Sequence, residues 1–257
     1  MTQWTTFPYP GAFAFDAASL AKSWSRLHQL DMEPLPSDAR LLDAWVLFHN
    51  GEFQQAEAAG LALGDAGLNV ANKASCMYAT YLEPREKARL DLFMEVAKRA
   101  QVQAESEPRN ANAWYWHAYA LGRYSQGISV AKALALGMGS KVKDSLERTI
   151  RMQPHHVAAH VALGAFHAEV IDKVGPLIGS MTYGVSKEES LRLLREALRM
   201  HPGSAITLVE YANALLMLNG DASSAEASRL YEQASEVAPL DAAERLTADM
   251  ARAELEA

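Results

Sequence analysis

Behind Asp16 the apolar residues Leu20, Trp24 and Leu27 share one helical face, and this spacing predicts a first helix over residues 16–30. The segment before it, Phe7 to Gly11 with prolines at 8 and 10, cannot be helical and is expected to lie extended over the first hairpin. Further along, large apolar residues recur at Leu146, Leu194 and Tyr231, and small ones at Ala197 and Ala234, each ahead of a proline. Pro108, Pro154, Pro202 and Pro239 each close one helix-like run and are followed within three residues by the next. Proline lacks the amide donor and its ring clashes with the preceding turn, so a recurring proline marks a recurring helix boundary. The intervals between them are 46, 48 and 37 residues. Ser186 with Glu189, Ser223 with Glu226 and Asp241 with Glu244 read as capping boxes that open further helices.

Aligned on those prolines, the chain resembles the tetratricopeptide pattern, whose period is about 34 residues. Trp114 takes the first tryptophan place, and Leu163-Gly164 takes the Leu-Gly place one repeat later. Asn50 to Ala56 resembles the turn and second-helix start of an earlier unit, with Leu68 where its closing proline would stand. The resemblance covers about residues 38 to 239. Gly164, with Ala118 and Ala212 at the same repeat position, lets the second helix approach the first, and large apolar residues fill the remaining groove. No single hairpin buries its apolar face alone, so the units must stack. The expected fold is an all-α, tetratricopeptide-like helical-hairpin solenoid with two inter-helix insertions. It forms a single domain: an N-terminal segment and helix over 1–37, repeat units over 38–239 and a capping helix over 240–257.

In tetratricopeptide arrays the first helices line a concave face. The resemblance therefore implies a binding groove carrying Tyr115, Trp116, Tyr119 and Arg123, then Val161 and Glu169, then Glu210 and Asn213. Such a groove is aromatic and aliphatic, with almost none of the lysines and asparagines that grip a peptide's terminal carboxylate, so it suits an apolar peptide or a lipid-like molecule. The alternative is that the aromatics pack against an adjacent helix.

Both long intervals carry their extra residues inside the hairpin, over 125–141 and 170–186. These stretches read as loops, yet they are apolar: Ile128, Val130, Leu134, Leu136 and Met138 in one, Val174, Leu177, Ile178, Met181, Tyr183 and Val185 in the other. Apolar loops need something to cover. Either they meet along one edge as a lid over an insertion pocket lined by Ile128, Met138, Leu177, Ile178, Met181 and Tyr183, or they extend the core or a self-association surface.

Composition narrows the function classes. Twenty-four basic residues face 31 acidic ones, a net charge of −7, and the basic residues are scattered, whereas phosphate-backbone binding needs a basic stripe. No stretch of about 18 apolar residues and no signal-like start is present, so a soluble, cytoplasmic protein is expected. Cys76 is the only cysteine and reads as a small buried residue. There is no nucleophile elbow, zincin motif or phosphate-binding loop. His156 and His160 lie four apart on a helix, but two ligands do not make a tetrahedral site, and with His117 and His167 they read as core histidines. No metal, cofactor or catalytic residue is expected.

The combination of Asn110-Ala111, Trp116, an insertion, Pro154, Ala159-His160, Leu163-Gly164, a second insertion, Ala197 and Pro202 resembles the regulator of microtubule dynamics group. It is also similar to the T-component of bacterial tripartite transporters. Both are divergent tetratricopeptide proteins without known catalysis, and the transporter relatives imply an apolar cavity. The expected function is a non-catalytic protein-interaction module that binds an apolar peptide or helix on its concave face. The alternative is a carrier or sensor of a hydrophobic small molecule held under the two insertions.

Overall fold

The computed structural model describes residues 3–256. Among them there are fourteen α-helices and two short 3₁₀ turns, and no strand. They are α1 (Ala17–Leu27), α2 (Ala39–His49), α3 (Phe53–Ala62), α4 (Leu68–Tyr81), α5 (Glu86–Ser106), α6 (Ala111–Gln126) and α7 (Val130–Ala135). There follow α8 (Met138–Met152), α9 (Val157–Val174), α10 (Pro176–Tyr183), α11 (Lys187–Met200), α12 (Ala205–Asn219), α13 (Ser224–Glu236) and α14 (Ala242–Glu256). Each marker proline falls between two of them: Pro108 before α6, Pro154 before α9, Pro202 before α12 and Pro239 before α14. Five helical hairpins result, α2/α3, α4/α5, α6/α8, α9/α11 and α12/α13, and the fold is an all-α, tetratricopeptide-like hairpin repeat. No described helix is long and apolar enough to cross a membrane.

The contacts fall into two units. The first holds residues up to His28, Met32–Gln153 and Asp241–Ala243; the second holds Gln29–Asp31, Pro154–Leu240 and the chain from Glu244.

In the first unit α1 forms as its pattern dictates. Asp16 caps it by accepting from the Ser19 amide, Ser19 returns a bond to the Asp16 backbone, and Leu20, Trp24 and Leu27 are buried. An aromatic core follows, with Trp24 edge-on to Trp45 at 5.7 Å, Trp45 to Phe48 at 5.6 Å and Phe48 to Phe53 at 5.5 Å. The proline-bearing N-terminal segment lies over these hairpins, with Phe7 buried against Phe53 and Gly51 and Trp4 stacked on Tyr78 at 4.1 Å. Contrary to the expectation it is not extended throughout: the Ala12 amide donates to the Tyr9 carbonyl at 3.1 Å, and Gly11 takes the positive φ of 76° in that turn.

In the second unit Leu194, Leu208, Leu215, Leu230 and Tyr231 form one core with Val157 and Val161. Ala197, Ala212 and Ala234 are fully buried there, and Leu163 and Gly164 are buried on α9. Small residues therefore occupy the helix crossings and large ones the space between, as the repeat pattern requires.

Two further expectations need correction. The insertions are not loops. The first contains α7, capped by the Ser129 side chain, and the second contains α10, opened by Pro176 at its first turn. Their apolar residues serve short helices bounded by chain reversals, Gly175 and Gly184 taking positive φ of 82° and 63° at the ends of α10. Ser223 does not cap α13, because a 3₁₀ turn precedes that helix and the Ser223 hydroxyl accepts from the Asn219 side chain at 2.8 Å instead.

Candidate interaction surfaces

In the first unit α6 brings Tyr115, Trp116 and Tyr119 together, with ring centroids 4.8 Å apart for Tyr115 and Trp116 and 5.7 Å for Trp116 and Tyr119. Asn110 sets this helix by accepting from the Ala113 amide at its start. Tyr115 and Trp116 are buried, whereas Tyr119 and Arg123 are half-buried, so the last two are what this face presents. The Tyr119 hydroxyl is paired with the Thr80 hydroxyl of α4 at 2.8 Å, and Arg123 stacks over its ring at 5.3 Å. Burial pushes the Tyr119 phenol up, so at neutral pH the ring is uncharged beside a fixed guanidinium.

In the second unit Val161 is core, while Glu169 of α9 and Glu210 and Asn213 of α12 are half-buried. The Tyr231 hydroxyl of α13 donates to Asn213. Burial first, and then the nearby carboxylates Glu254 and Glu210, raise the Tyr231 phenol to about 12, which keeps it a hydrogen-bond donor.

The insertion residues divide sharply. Met138 is buried at the start of α8, and Ile128 is half-buried. On α10, Gly179 turns inward, where an added Cβ would lie 2.9 Å from Val185 Cγ2 and 3.2 Å from Val170 Cγ1. Tyr183 is half-buried and meets Phe166 edge-on at 6.2 Å. The opposite face of this helix carries Leu177, Ile178 and Met181, which are 72%, 56% and 81% exposed. A glycine-and-tyrosine inner face with a leucine, isoleucine and methionine outer face inverts the usual amphipathic arrangement. Val130, Leu134 and Leu136, in and just after α7, are exposed as well.

The remaining candidates have structural duties. His156 caps α9, its Nδ1 accepting from the Ala159 amide at 3.1 Å, and His160 Nδ1 lies 3.1 Å from the His156 carbonyl. His167 Nδ1 accepts from the Ser186 amide, and His117 pairs with Ser145 at 2.9 Å. Burial pulls the His117 imidazole down, holding it neutral. Cys76 is fully buried and its thiol is pushed far up by burial, so it is not a nucleophile. No group of three or more His, Cys, Asp or Glu among the described residues is placed to hold a metal ion.

Two features escaped the sequence reading. One is a buried relay in which His49 Nδ1 meets Asp241 at 2.7 Å and His49 Nε2 meets His28 Nε2 at 3.2 Å, beneath the stacked Trp24 ring. The other is a polar seam between α4 and α5 made by Asn69, Asn72 and Gln103. Its only sequence signal was the three-residue spacing of Asn69, Asn72 and Ser75 on an otherwise apolar helix.

Comparison with solved structures finds a likeness to the crystal structure of a thermophilic TPR protein from Thermus thermophilus. It has a TM-score of 0.58 and 16% identity, covering 83% of this chain and 97% of that one, and establishes the fold. A comparison with curated protein sequences gave no match. The family model described as regulator of microtubule dynamics protein 1-3 matches residues 68–256, nearly three quarters of the sequence, and the chain belongs to that family.

Proposed function

We propose that the chain is a non-catalytic interaction module that takes an apolar peptide or helix on the α6 face carrying Tyr119 and Arg123. The observation that carries this reading is the fixed pair itself: a ring held from behind by Thr80 and from the side by a guanidinium, on a bed of buried aromatics. Such a ring contributes apolar contact at little entropic cost, because its rotamer is already set. Arg123 adds an anchor for a backbone carbonyl or a carboxylate beside it. Glu169, Glu210 and Asn213 at the corresponding places of α9 and α12 offer polar contacts of the same kind in the second unit.

The test is selection of binding peptides from a displayed library, followed by titration of the best one into the native chain and two variants. Arg123→Ala, which leaves the buried aromatics in place, and Tyr119→Ala are expected to weaken binding by at least roughly tenfold. Equal affinity for native chain and both variants would place the partner site elsewhere.

A second reading, a carrier or sensor of a hydrophobic small molecule, is favoured by the outward Leu177, Ile178 and Met181 of α10. These residues give a greasy ligand direct contact, and the flanking glycines give the helix freedom to adjust.

A further inference from the structure

A cavity of about 420 Å³ opens in the first unit between the segment Glu33–Asp38, the turn ahead of α4 and the C-terminal end of α5. Carboxylates of Glu33, Asp38, Asp65 and Glu107 line it together with the carboxamides of Asn69, Gln103 and Asn110; no lining residue is lysine or arginine, but Asp38 is already paired with the Arg40 guanidinium at 2.9 Å. The carboxamides are not loose. Gln103 and Asn69, 2% and 9% exposed, are joined by a bond from Gln103 Nε2 to Asn69 Oδ1 at 2.9 Å. Asn69 and Asn112 both donate to Glu33 Oε2, at 2.9 and 2.6 Å, and Asn110 donates to Glu107 Oε2 at 2.8 Å.

This bonding has a chemical consequence. The carboxamide N–H groups are spent on Glu33, Glu107 and the Asn69 carbonyl oxygen, and the carboxamide oxygens are taken by Asn72, Gln103 and the Ala113 amide, so the wall is poor in donors and its remaining acceptor capacity lies on the carboxylates. A ligand suited to it brings several donors and positive charge, which describes a guanidinium or an ammonium group. The mouth adds a second requirement. Pro34, Leu35, Pro36 and Leu41 form an apolar rim, with Leu35 51% exposed, and a methylene stem would lie along it. The two prolines restrict this rim before any ligand arrives. A bare divalent cation matches less well, since no three acidic side chains among the described residues converge as metal ligands.

We propose that this pocket holds an arginine or lysine side chain of a partner polypeptide, its stem on Leu35 and Pro36 and its head among the carboxylates of Asp65, Glu107 and Glu33. The site is separate from the Tyr119 and Arg123 face and does not depend on that reading.

The test uses the full chain labelled for NMR and the capped peptide acetyl-Gly-Arg-Gly-amide, with its citrulline counterpart, spermidine and Mg²⁺ as separate probes. The arginine peptide is expected to shift the side-chain NH₂ signals of Asn69, Gln103 and Asn110 saturably, and the citrulline peptide to bind at least roughly tenfold more weakly. The double variant Asp65→Asn, Glu107→Gln should weaken arginine-peptide binding to a similar extent with an unchanged melting temperature, while Arg123→Ala should leave it intact. Should the double variant fold poorly, the arginine and citrulline comparison on the native chain decides. Absence of shifts at about 10 mM peptide, equal binding of the citrulline peptide, or tighter binding of spermidine or Mg²⁺ than of the arginine peptide would overturn the proposal.

Discussion

Ser190 Oγ donates a 2.7 Å hydrogen bond to the carbonyl of Gly164, so α11 lies directly on the backbone of α9 where α9 has no side chain. A Cβ built on Gly164 would sit 2.7 Å from Leu194 Cγ and 3.1 Å from the Ser190 carbonyl oxygen. Gly→Ala inside a helix ordinarily stabilises by about 1 kcal/mol. Here the contact opposes that gain, and Gly164→Leu is expected to cost on the order of 1 to 3 kcal/mol through overpacking. Thermal unfolding followed by circular dichroism checks it, and an unchanged melting temperature would mean that α9 and α11 do not pack at this crossing.

The relay of Asp241, His49 and His28 predicts a larger loss. Both His49 and Asp241 are buried, and removing the carboxylate leaves an imidazole nitrogen without that partner in a water-poor site. Asp241→Ala should destabilise the chain by about 3 kcal/mol, and Asp241→Asn by less, measured by urea unfolding at neutral pH. A loss under about 0.5 kcal/mol for Asp241→Ala would show the relay to be dispensable.

Glu83 makes stability depend on acid. Its buried carboxylate accepts from the Arg85 side chain and backbone and from the Tyr78 hydroxyl, and the Arg85 bond foremost holds it down to about 2 against an ordinary value of 4.5. A carboxyl depressed on folding stabilises fully above its unfolded value, and the contribution is lost as pH falls through the folded one. Glu83→Gln is therefore expected to cost about 2 kcal/mol at pH 7, with the difference from the native chain shrinking between about pH 4.5 and 2. Because the Thr5 amide donates to the Tyr78 hydroxyl, the indole signal of Trp4 should lose its stacked shift in the same range. A pH-independent difference would rule out this titration.

The exposed face of α10 should be replaceable without harm to the fold. Leu177→Ser with Ile178→Ser is expected to change stability by less than about 0.5 kcal/mol and to weaken binding of a fluorescent hydrophobic probe. Gly179→Ala, pressing on Val185, should instead loosen the helix. If the double variant binds the probe as well as the native chain, the hydrophobic-ligand reading loses its support.

Much of the architecture could be read from the chain alone, because its determinants are local. The prolines at 108, 154, 202 and 239 end helices by their own covalent structure, the spacing of Leu20, Trp24 and Leu27 describes one helical face, and Asp16 and Ser186 cap the amides a few residues ahead. Residue chemistry within about one turn suffices for such features. The insertions were only half legible: their apolar content was plain, but it marked short helices, and which side chains turn inward depended on where Val170 and Val185 stand to receive Gly179. Tyr115 and Trp116 carried the same ambiguity, since an aromatic on a helix looks alike in sequence whether it faces a partner or a neighbouring helix. The Asp241 and His49 pair, 192 residues apart, and the carboxamide seam of Asn69 and Gln103 were set by tertiary structure alone. Their partners are distant in the chain, and a buried polar residue declares its role only when the group that satisfies it has been brought beside it.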